Sequence, residues 1–557
     1  MKLNWFKSGV IYQIYPRSFN DSNGDGIGDL KGITSKLDYL KSLNIDIIWI
    51  SPIFKSPNKD NGYDVSDYCS IMPEFGSMSD FDELLQKAHN RGLKIVLDLV
   101  PNHTSDQHYW FTEAKKSKDN PYRDYYIWKK PKPDGNPPNN WPSFFSGPAW
   151  TLDEASGEYY LHLFTKYQPD LNWENPKVRE SIYEVMRFWL DKGIGGFRMD
   201  VVTLLSKDFK DIKPNTGFRK IIEDYYANGP KIHDYLNEMN EQVMEHYDAF
   251  SMGEGVGVNQ ENAHLYVADE RKELDMIYHF DILENNIVNG KYEEISHFDL
   301  INVKNIFRNW QYVMDKGGWI ANALGNHDFA RLVSRFGNDK EYREESAKML
   351  ITLMATQNGT LNIYQGDEIG MTNIDLKSIN DVNDIQSLNF YKENLERKKF
   401  TNDEALLMIN KEGRDNARTP MQWTEYENAG FSTHSPWLQI NPNYSTINVE
   451  NQLEDKNSIL KYYQRIFALK RENPIFSYGK FIELEKENKN VYAYRKVNNN
   501  KEILVFLSFS KSEIVIDYEF DTKKDYDMLI NNYSFVTKTM EKLTLMPYQS
   551  LIFKINN

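Results

Sequence analysis

Four short segments carry the side chains that could do chemistry. Asp98-Leu99-Val100-Pro101-Asn102-His103, Gly196-Phe197-Arg198-Met199-Asp200-Val201, Met252-Gly253-Glu254-Gly255 and Gly325-Asn326-His327-Asp328 each set an acid or an imidazole at the end of a strand candidate. Acids gathered in this way admit two chemistries. They bind a divalent cation, or they cleave an acetal with one ionised and one protonated carboxyl. Arg198 stands two residues before Asp200, so strand alternation puts both side chains on one face. A cation there competes with a metal and favours an ionised Asp200, which suits a nucleophile. A single strand-end carboxylate is as often structural as functional, but Asp200, Glu254 and Asp328 converging together favour the acetal reading.

The elements that must position these residues follow from periodicity. Strand candidates fall at 10–15, 46–53, 93–100, 196–199, 249–252, 274–280, 319–324 and 361–364. Between the second and third, a helix is expected from Ser79, with Ser79 and Asp82 as its cap and Phe81, Leu84, Leu85 and Ala88 on one face. Asn175-Pro176 opens another, with Val178, Ile182, Val185, Met186 and Trp189 at helical spacing. Strand and helix alternating eight times predict an α/β fold, a (β/α)₈ TIM barrel over 1–103 and 174–477. The stretch 104–173, rich in Pro, Asn, Trp and Tyr, reads as an insertion after the third strand, and about 366–451 as a second one. From 478 to 557 short β-runs between polar turns predict a C-terminal antiparallel β-sandwich.

Composition narrows the function classes. The 557 residues, 40% hydrophobic and 26% charged, suit a soluble globular chain. A formal net charge of −15 repels phosphate backbones and argues against nucleic acid as a partner. One cysteine, Cys69, leaves no intrachain disulfide and no cysteine zinc site. The N-terminus has no signal-peptide core and no run spans a bilayer, so a cytoplasmic monomer without a membrane partner is expected.

Taken in order, Asp98 to His103, Gly196 to Asp200, Glu254 and Asn326-His327-Asp328 resemble the conserved regions of the α-amylase superfamily of glycoside hydrolases. The resemblance extends over essentially the whole chain. Gln168-Pro169-Asp170-Leu171-Asn172 looks like the signature of its oligo-1,6-glucosidase branch, and the run from Gly413 to Trp423 is similar to that of its exo-α-glucosidases. The resemblance implies Asp200 as nucleophile, Glu254 as general acid/base and Asp328 as the third acid. It also implies that Tyr63, Asp64, His103, Arg198, His327 and Arg414 line the subsite for the non-reducing glucose, with Arg331 and Arg418 as secondary matches. The substrates it implies are short oligosaccharides. No organic cofactor is implied.

Val201 follows the nucleophile, where the resembled family carries Val for α-1,6 and Ala or Thr for α-1,4 linkages, so isomaltose-type substrates are expected. Two departures leave the leaving-group sugar open. Phe329-Ala330 stands where many relatives have Gln-Pro, and Gly255-Val256-Gly257-Val258 follows the acid/base. Sucrose hydrolysis, trehalose 6-phosphate hydrolysis and glucosyl transfer or isomerisation remain alternatives. The Arg-Leu-Asp-Arg segment of the family's sucrose isomerases is absent around Phe280 to Leu283, which lowers the last of these. A silent binding subunit is disfavoured, because all three acids are present.

Asp21, Asn23, Asp25 and Asp29 place oxygens at alternate positions with Gly26 at the sixth, like the first part of an EF-hand loop. Gly32 stands at the twelfth position, so it is not an EF-hand; the alternative is a plain turn. The resemblance supplies a structural Ca²⁺ in this loop, with the Ile27 carbonyl as a further ligand.

Overall fold

The apolar runs become strands that are buried on both faces, as a parallel sheet covered by helices requires. The computed structural model describes residues 5–284, 292 and 298–556. Its strands are β1 (Val10–Ile14), β2 (Ile47–Ile50), β3 (Lys94–Leu99), β4 (Gly196–Met199), β5 (Phe250–Gly255), β6 (Met276–His279), β7 (Ala321–Asn322) and β8 (Thr360–Tyr364). All pairings are parallel, in the order β6-β5-β4-β3-β2-β1-β8-β7. An Ile277 to Ile320 bridge, with the Ile277 N–H on the Trp319 carbonyl at 3.3 Å, brings β6 to β7 and closes the ring. The result is a TIM barrel.

Two elements differ from expectation. The run 319–324 yields only the two-residue β7, whose Asn322 also donates its side-chain amide to the Asn358 carbonyl. The helix expected from Ser79 begins one residue earlier as Met78–Asn90, capped by Ser77 in a reciprocal box with Asp80. The helix Pro176–Asp191 starts as read, its Asn175 side chain accepting from Lys177 N.

Alternation sets the barrel interior. Ile11, Ile47, Trp49, Val96, Phe250, Met252, Met276 and Tyr278 fill it as one apolar cluster. Two residues further along the same strand faces come Gln13, Asp98, Arg198 and Glu254, so the interior turns polar at the C-terminal rim. Gly196 opens β4 at φ +140°, and a Cβ there would stand 2.0 Å from the Phe250 carbonyl. Only glycine lets the strands of Asp200 and Glu254 lie this close.

After β3 the chain forms a small antiparallel sheet from Trp128–Lys129, Glu158–Leu161 and Trp150–Asp153. At the C-terminal end a five-stranded and a three-stranded antiparallel sheet face each other across Val491, Ala493, Leu504, Phe506, Ile516, Leu543 and Leu545. The alternate residues Tyr492, Tyr494, Val505 and Leu507 join the main core. No helix among the described residues is long and apolar enough to cross a membrane.

Candidate active site

Arg198 organises the barrel mouth. Its side chain is fully buried, and its Nη1 donates to Asp98 Oδ1 and to Asp200 Oδ1, both at 2.7 Å. Its Nη2 lies 2.8 Å from Glu254 Oε1 and 2.6 Å from the Tyr278 hydroxyl. The β3–β4 register sets Asp98 beside Arg198, and the β5–β6 register sets Glu254 beside Tyr278. One guanidinium therefore serves three carboxyls from three adjacent strands.

Three buried acids around one cation cannot all be ionised. Burial lifts Asp98 to about 6, with Arg198 opposing. Burial and then the Glu254 charge raise Asp200 well above the usual range, again against Arg198. Arg198 does favour an ionised Asp200, as its place on the strand suggests, but the guanidinium is divided among three acids. Asp200 and Glu254 reach this guanidinium from neighbouring strands, so the two carboxyls face each other across it.

Asp328 sits apart from this cluster with its own cations. Its Oδ1 accepts from Arg414 Nη1 at 3.2 Å and Arg418 Nη2 at 3.0 Å, and Oδ2 lies 3.1 Å from His327 Nε2. Burial works against its charge, but the His327 N–H beside Oδ2 and the Arg414 and Arg418 cations outweigh that and hold Asp328 well below the carboxylate range. It is ionised throughout. Burial pushes His327 down to about 3, against the Asp328 charge, so the ring is neutral. Tyr63 stacks on it and bridges His327 Nε2 at 2.7 Å and Asp98 Oδ2 at 3.0 Å.

The remaining expected residues divide. Arg414 belongs here: besides Asp328 it grips Asp384 at 2.7 Å, and its guanidinium covers the Phe145 ring. His103 is buried beside Phe164 and 3.3 Å from the Gln168 amide, and burial lowers it to about 4. Asp64 does not face the mouth. Its carboxylate accepts from Ser56 Oγ at 2.9 Å, Lys59 N at 2.9 Å and Asp60 N at 3.0 Å, which folds its own loop. Arg331 is also structural, held on the carbonyls of Asn416 and Gln365, whereas Arg418 reaches Asp328.

Reading the sequence missed Asp60. It is buried, raised to about 6 chiefly by desolvation, and its Oδ1 lies 3.5 Å from Arg414 while Oδ2 accepts from Gln168 at 3.1 Å. Asp98 and Asp384 were also missed as site residues. Asp98 stood in a quoted motif, and its place on the strand face of Arg198 was the available signal. Asp384 has no local signal, since it reaches Arg414 from thirty residues away in sequence.

The loop from Asp21 to Asp29 folds on its own side chains. Asp21 accepts from the N–H groups of Asn23, Gly24 and Gly26 and from Ser432 Oγ; Asn23 caps Asp25 N, and Asp25 caps Ile27 N. Asp29 is engaged by Ser22 and caps the helix Leu30–Ser35 through Gly32 N. These oxygens suit a hard cation in kind. Among the described residues no group of three or more His, Cys, Asp or Glu side chains converges as a ligand set, so Asn23 and backbone oxygens would have to complete it. The loop is tied to the mouth: Trp437 N donates to the Gly26 carbonyl at 3.0 Å, Trp437 Nε1 to Ser18 Oγ at 3.0 Å, and Ser18 Oγ to the Arg418 carbonyl at 2.6 Å.

Comparison with known proteins agrees with this architecture. The family model described as "Alpha amylase, catalytic domain" matches residues 13–479. An oligo-1,6-glucosidase of Bacillus cereus is 48% identical over 558 residues, covering 100% of both chains. A trehalose-6-phosphate hydrolase of Bacillus subtilis is 43% identical, covering 99% of this chain and 98% of that one. Among solved structures, the trehalose-6-phosphate hydrolase of Bacillus licheniformis superposes with TM-score 0.94 at 43% identity over 99% of this chain and 100% of that one. The isomaltulose synthase of Klebsiella sp. LX3 does so with TM-score 0.95 at 42% identity over 99% of each. The chain belongs to the α-amylase family of glycoside hydrolases.

Proposed function

We propose that the chain is a retaining exo-α-glucosidase that releases glucose from the non-reducing end of short α-1,6-linked oligosaccharides. The carrying observation is that Asp200 and Glu254 project from neighbouring strands onto one guanidinium, at 2.7 and 2.8 Å. Two carboxyls that meet on one guanidinium suit the short spacing of direct attack by one of them better than the wider spacing an inverting mechanism needs for its water. Glu254 protonates the leaving oxygen while Asp200 attacks C1. Glu254, now a carboxylate, then takes the proton of the attacking water. Asp328, permanently charged, accepts from sugar hydroxyls and stabilises the oxocarbenium-like transition state, and Asp60, His103, His327 and Arg414 hold the same glucose. Val201 beside the nucleophile supports the α-1,6 preference, as does the higher identity to oligo-1,6-glucosidases than to the trehalose-6-phosphate hydrolase. Specificity constants on isomaltose, maltose, sucrose and trehalose 6-phosphate test this, with isomaltose expected first; a leading value for any other sugar would displace the reading.

We further infer that the Asp21 to Asp29 loop takes a structural Ca²⁺, with Asp21, Asn23, Asp25, the Ile27 carbonyl and Asp29 as ligands. Support comes from its oxygen-only donors and their spacing. Chelation is expected to lower the unfolding temperature reversibly, and an unchanged temperature would remove the ion.

A further inference from the structure

Glu254 holds its place through a backbone group as well as through Arg198. Its Oε2 accepts from the Val201 N–H at 2.8 Å, while Oε1 faces Arg198 Nη2 at 2.8 Å. Each oxygen has one donor.

Val201 itself is strained, at φ +37° and ψ +38°. Left-handed backbone crowds the Cβ against the following carbonyl, and a branched Cβ makes that worse. Among the described residues with positive φ that are not glycine, Val201 alone is β-branched. Its surroundings hold it there. The Asp200 N–H still donates to the Leu99 carbonyl at 2.8 Å, so β4 stays laddered to β3 up to the residue before. The Leu204 N–H closes on the Val201 carbonyl at 2.9 Å, and the Val201 side chain packs into the apolar cluster that contains Trp141, Leu204 and Tyr226. Thr203 Oγ1 then bolts the turn to the Val256 carbonyl at 2.6 Å, two residues beyond Glu254.

The consequence concerns the ladder. In a regular sheet the Val201 N–H would go to a backbone carbonyl of β5. The left-handed turn takes the chain out of the sheet at this residue and releases that N–H to a side chain of β5 instead. Backbone strain retained where a freed donor meets a reacting carboxyl is strain put to use.

Resting on the Asp200 and Glu254 reading above, we propose that the Val201 N–H, freed by its strained turn, is a positioning group for the Glu254 carboxyl. As the glycosidic bond breaks, the Glu254 proton passes to the leaving oxygen and Asp200 bonds to C1. The carboxylate left on Glu254 then gains most from a fixed donor, and it keeps that donor while it accepts the proton of the attacking water.

The test replaces one atom. Incorporating 2-hydroxy-3-methylbutanoic acid at position 201 of the full chain turns the amide into an ester, removing the N–H and keeping the side chain. Thermal unfolding selects material that is folded. With isomaltose, whose leaving alcohol needs a proton, kcat/KM is expected to fall about tenfold further than with 4-nitrophenyl α-glucoside, whose leaving group does not. The basic limb of the pH profile is expected to move to higher pH, because a donor to the charged carboxyl is gone. Equal losses on both substrates with an unmoved limb would overturn the proposal. Val201→Gly keeps the N–H and needs no strain to stay left-handed, so its limb should remain in place. If that limb moved as in the ester, the side chain would be the cause and the proposal would fail. Glu254→Gln, measured alongside, should show the same substrate bias more strongly; if it showed none, the acid/base assignment itself would be wrong.

Discussion

Tyr63 lies parallel to His327, with ring centroids 5.3 Å apart and 7° between planes, and its hydroxyl joins His327 to Asp98. The pair links the Arg198 cluster to the Asp328 cluster. Tyr63→Phe keeps the ring and deletes the link, leaving Asp98 with one donor fewer. It is expected to lower kcat/KM about tenfold, as the loss of one hydrogen bond to a charged group would. Tyr63→Ala should lose about ten times more, because the flat face goes as well. Equal rates for the two variants would place the effect in the hydroxyl alone.

Acid should destabilise this protein through its buried histidines. Burial pushes His103, His108 and His279 down to about 4 and His327 to about 3. Below about pH 6.5 the unfolded chain takes up protons on these rings and the folded chain does not, so stability is full above that pH and falls as pH drops toward 4. His279 is the clean probe, since it stacks on Trp310 with centroids 3.9 Å apart and has no part in the site. His279→Phe is expected to flatten the loss, worth about 2 kcal/mol at pH 5. Urea unfolding at pH 5 and pH 7.5 measures it, and an equal loss of unfolding free energy between the two pH values for both chains would contradict the burial argument.

Two aspartates four residues apart should behave in opposite ways. Asp60→Asn is expected to raise KM by roughly tenfold or more with little change in unfolding, since its carboxyl faces Arg414. Asp64→Ala strips the acceptor from three loop donors and is expected to cost about 2–4 kcal/mol of stability. Steady-state kinetics with thermal unfolding on both variants separates the roles, and a destabilised Asp60→Asn with normal KM would reverse them.

The covalent step predicts a product. Glu254→Ala lacks the base for water, but azide needs none. Added azide is expected to restore turnover of 4-nitrophenyl α-glucoside and to yield the α-glucosyl azide, the anomer of a double displacement. A β-azide, identified by NMR, would mean that Glu254 is the nucleophile instead.

Much of the architecture was legible because parallel strands buried on both faces write continuous apolar runs, and Asp46 to Ile53 or Leu93 to Val100 can hardly be anything else. Local rules failed where two signals overlapped. Ser77-Met78-Ser79-Asp80-Phe81-Asp82 contains two Ser-x-x-Asp boxes, and the helix uses the first. The acids proposed for catalysis were legible because strand ends fix their position. The residues proposed to hold the sugar were only half legible, because loops decide them. Asp64 adjoins Tyr63 and drew the match, yet the fold of residues 56–64 turns Asp60 to the mouth and spends Asp64 on backbone amides. Arg331 and Arg418 look alike in sequence, and only the loop carrying Arg418 brings one of them to Asp328.

The Ser18 joint makes distant parts of the molecule answer to each other. Through it the acidic loop and the arginine that steadies Asp328 are three hydrogen bonds from one another, by way of Trp437. Anything that firms that loop should tighten the grip on glucose, and bound glucose must firm the loop by the same free energy. Saturating sugar would then slow proteolytic nicking near Gly24 and Gly26, a protection felt well away from the place where the sugar sits.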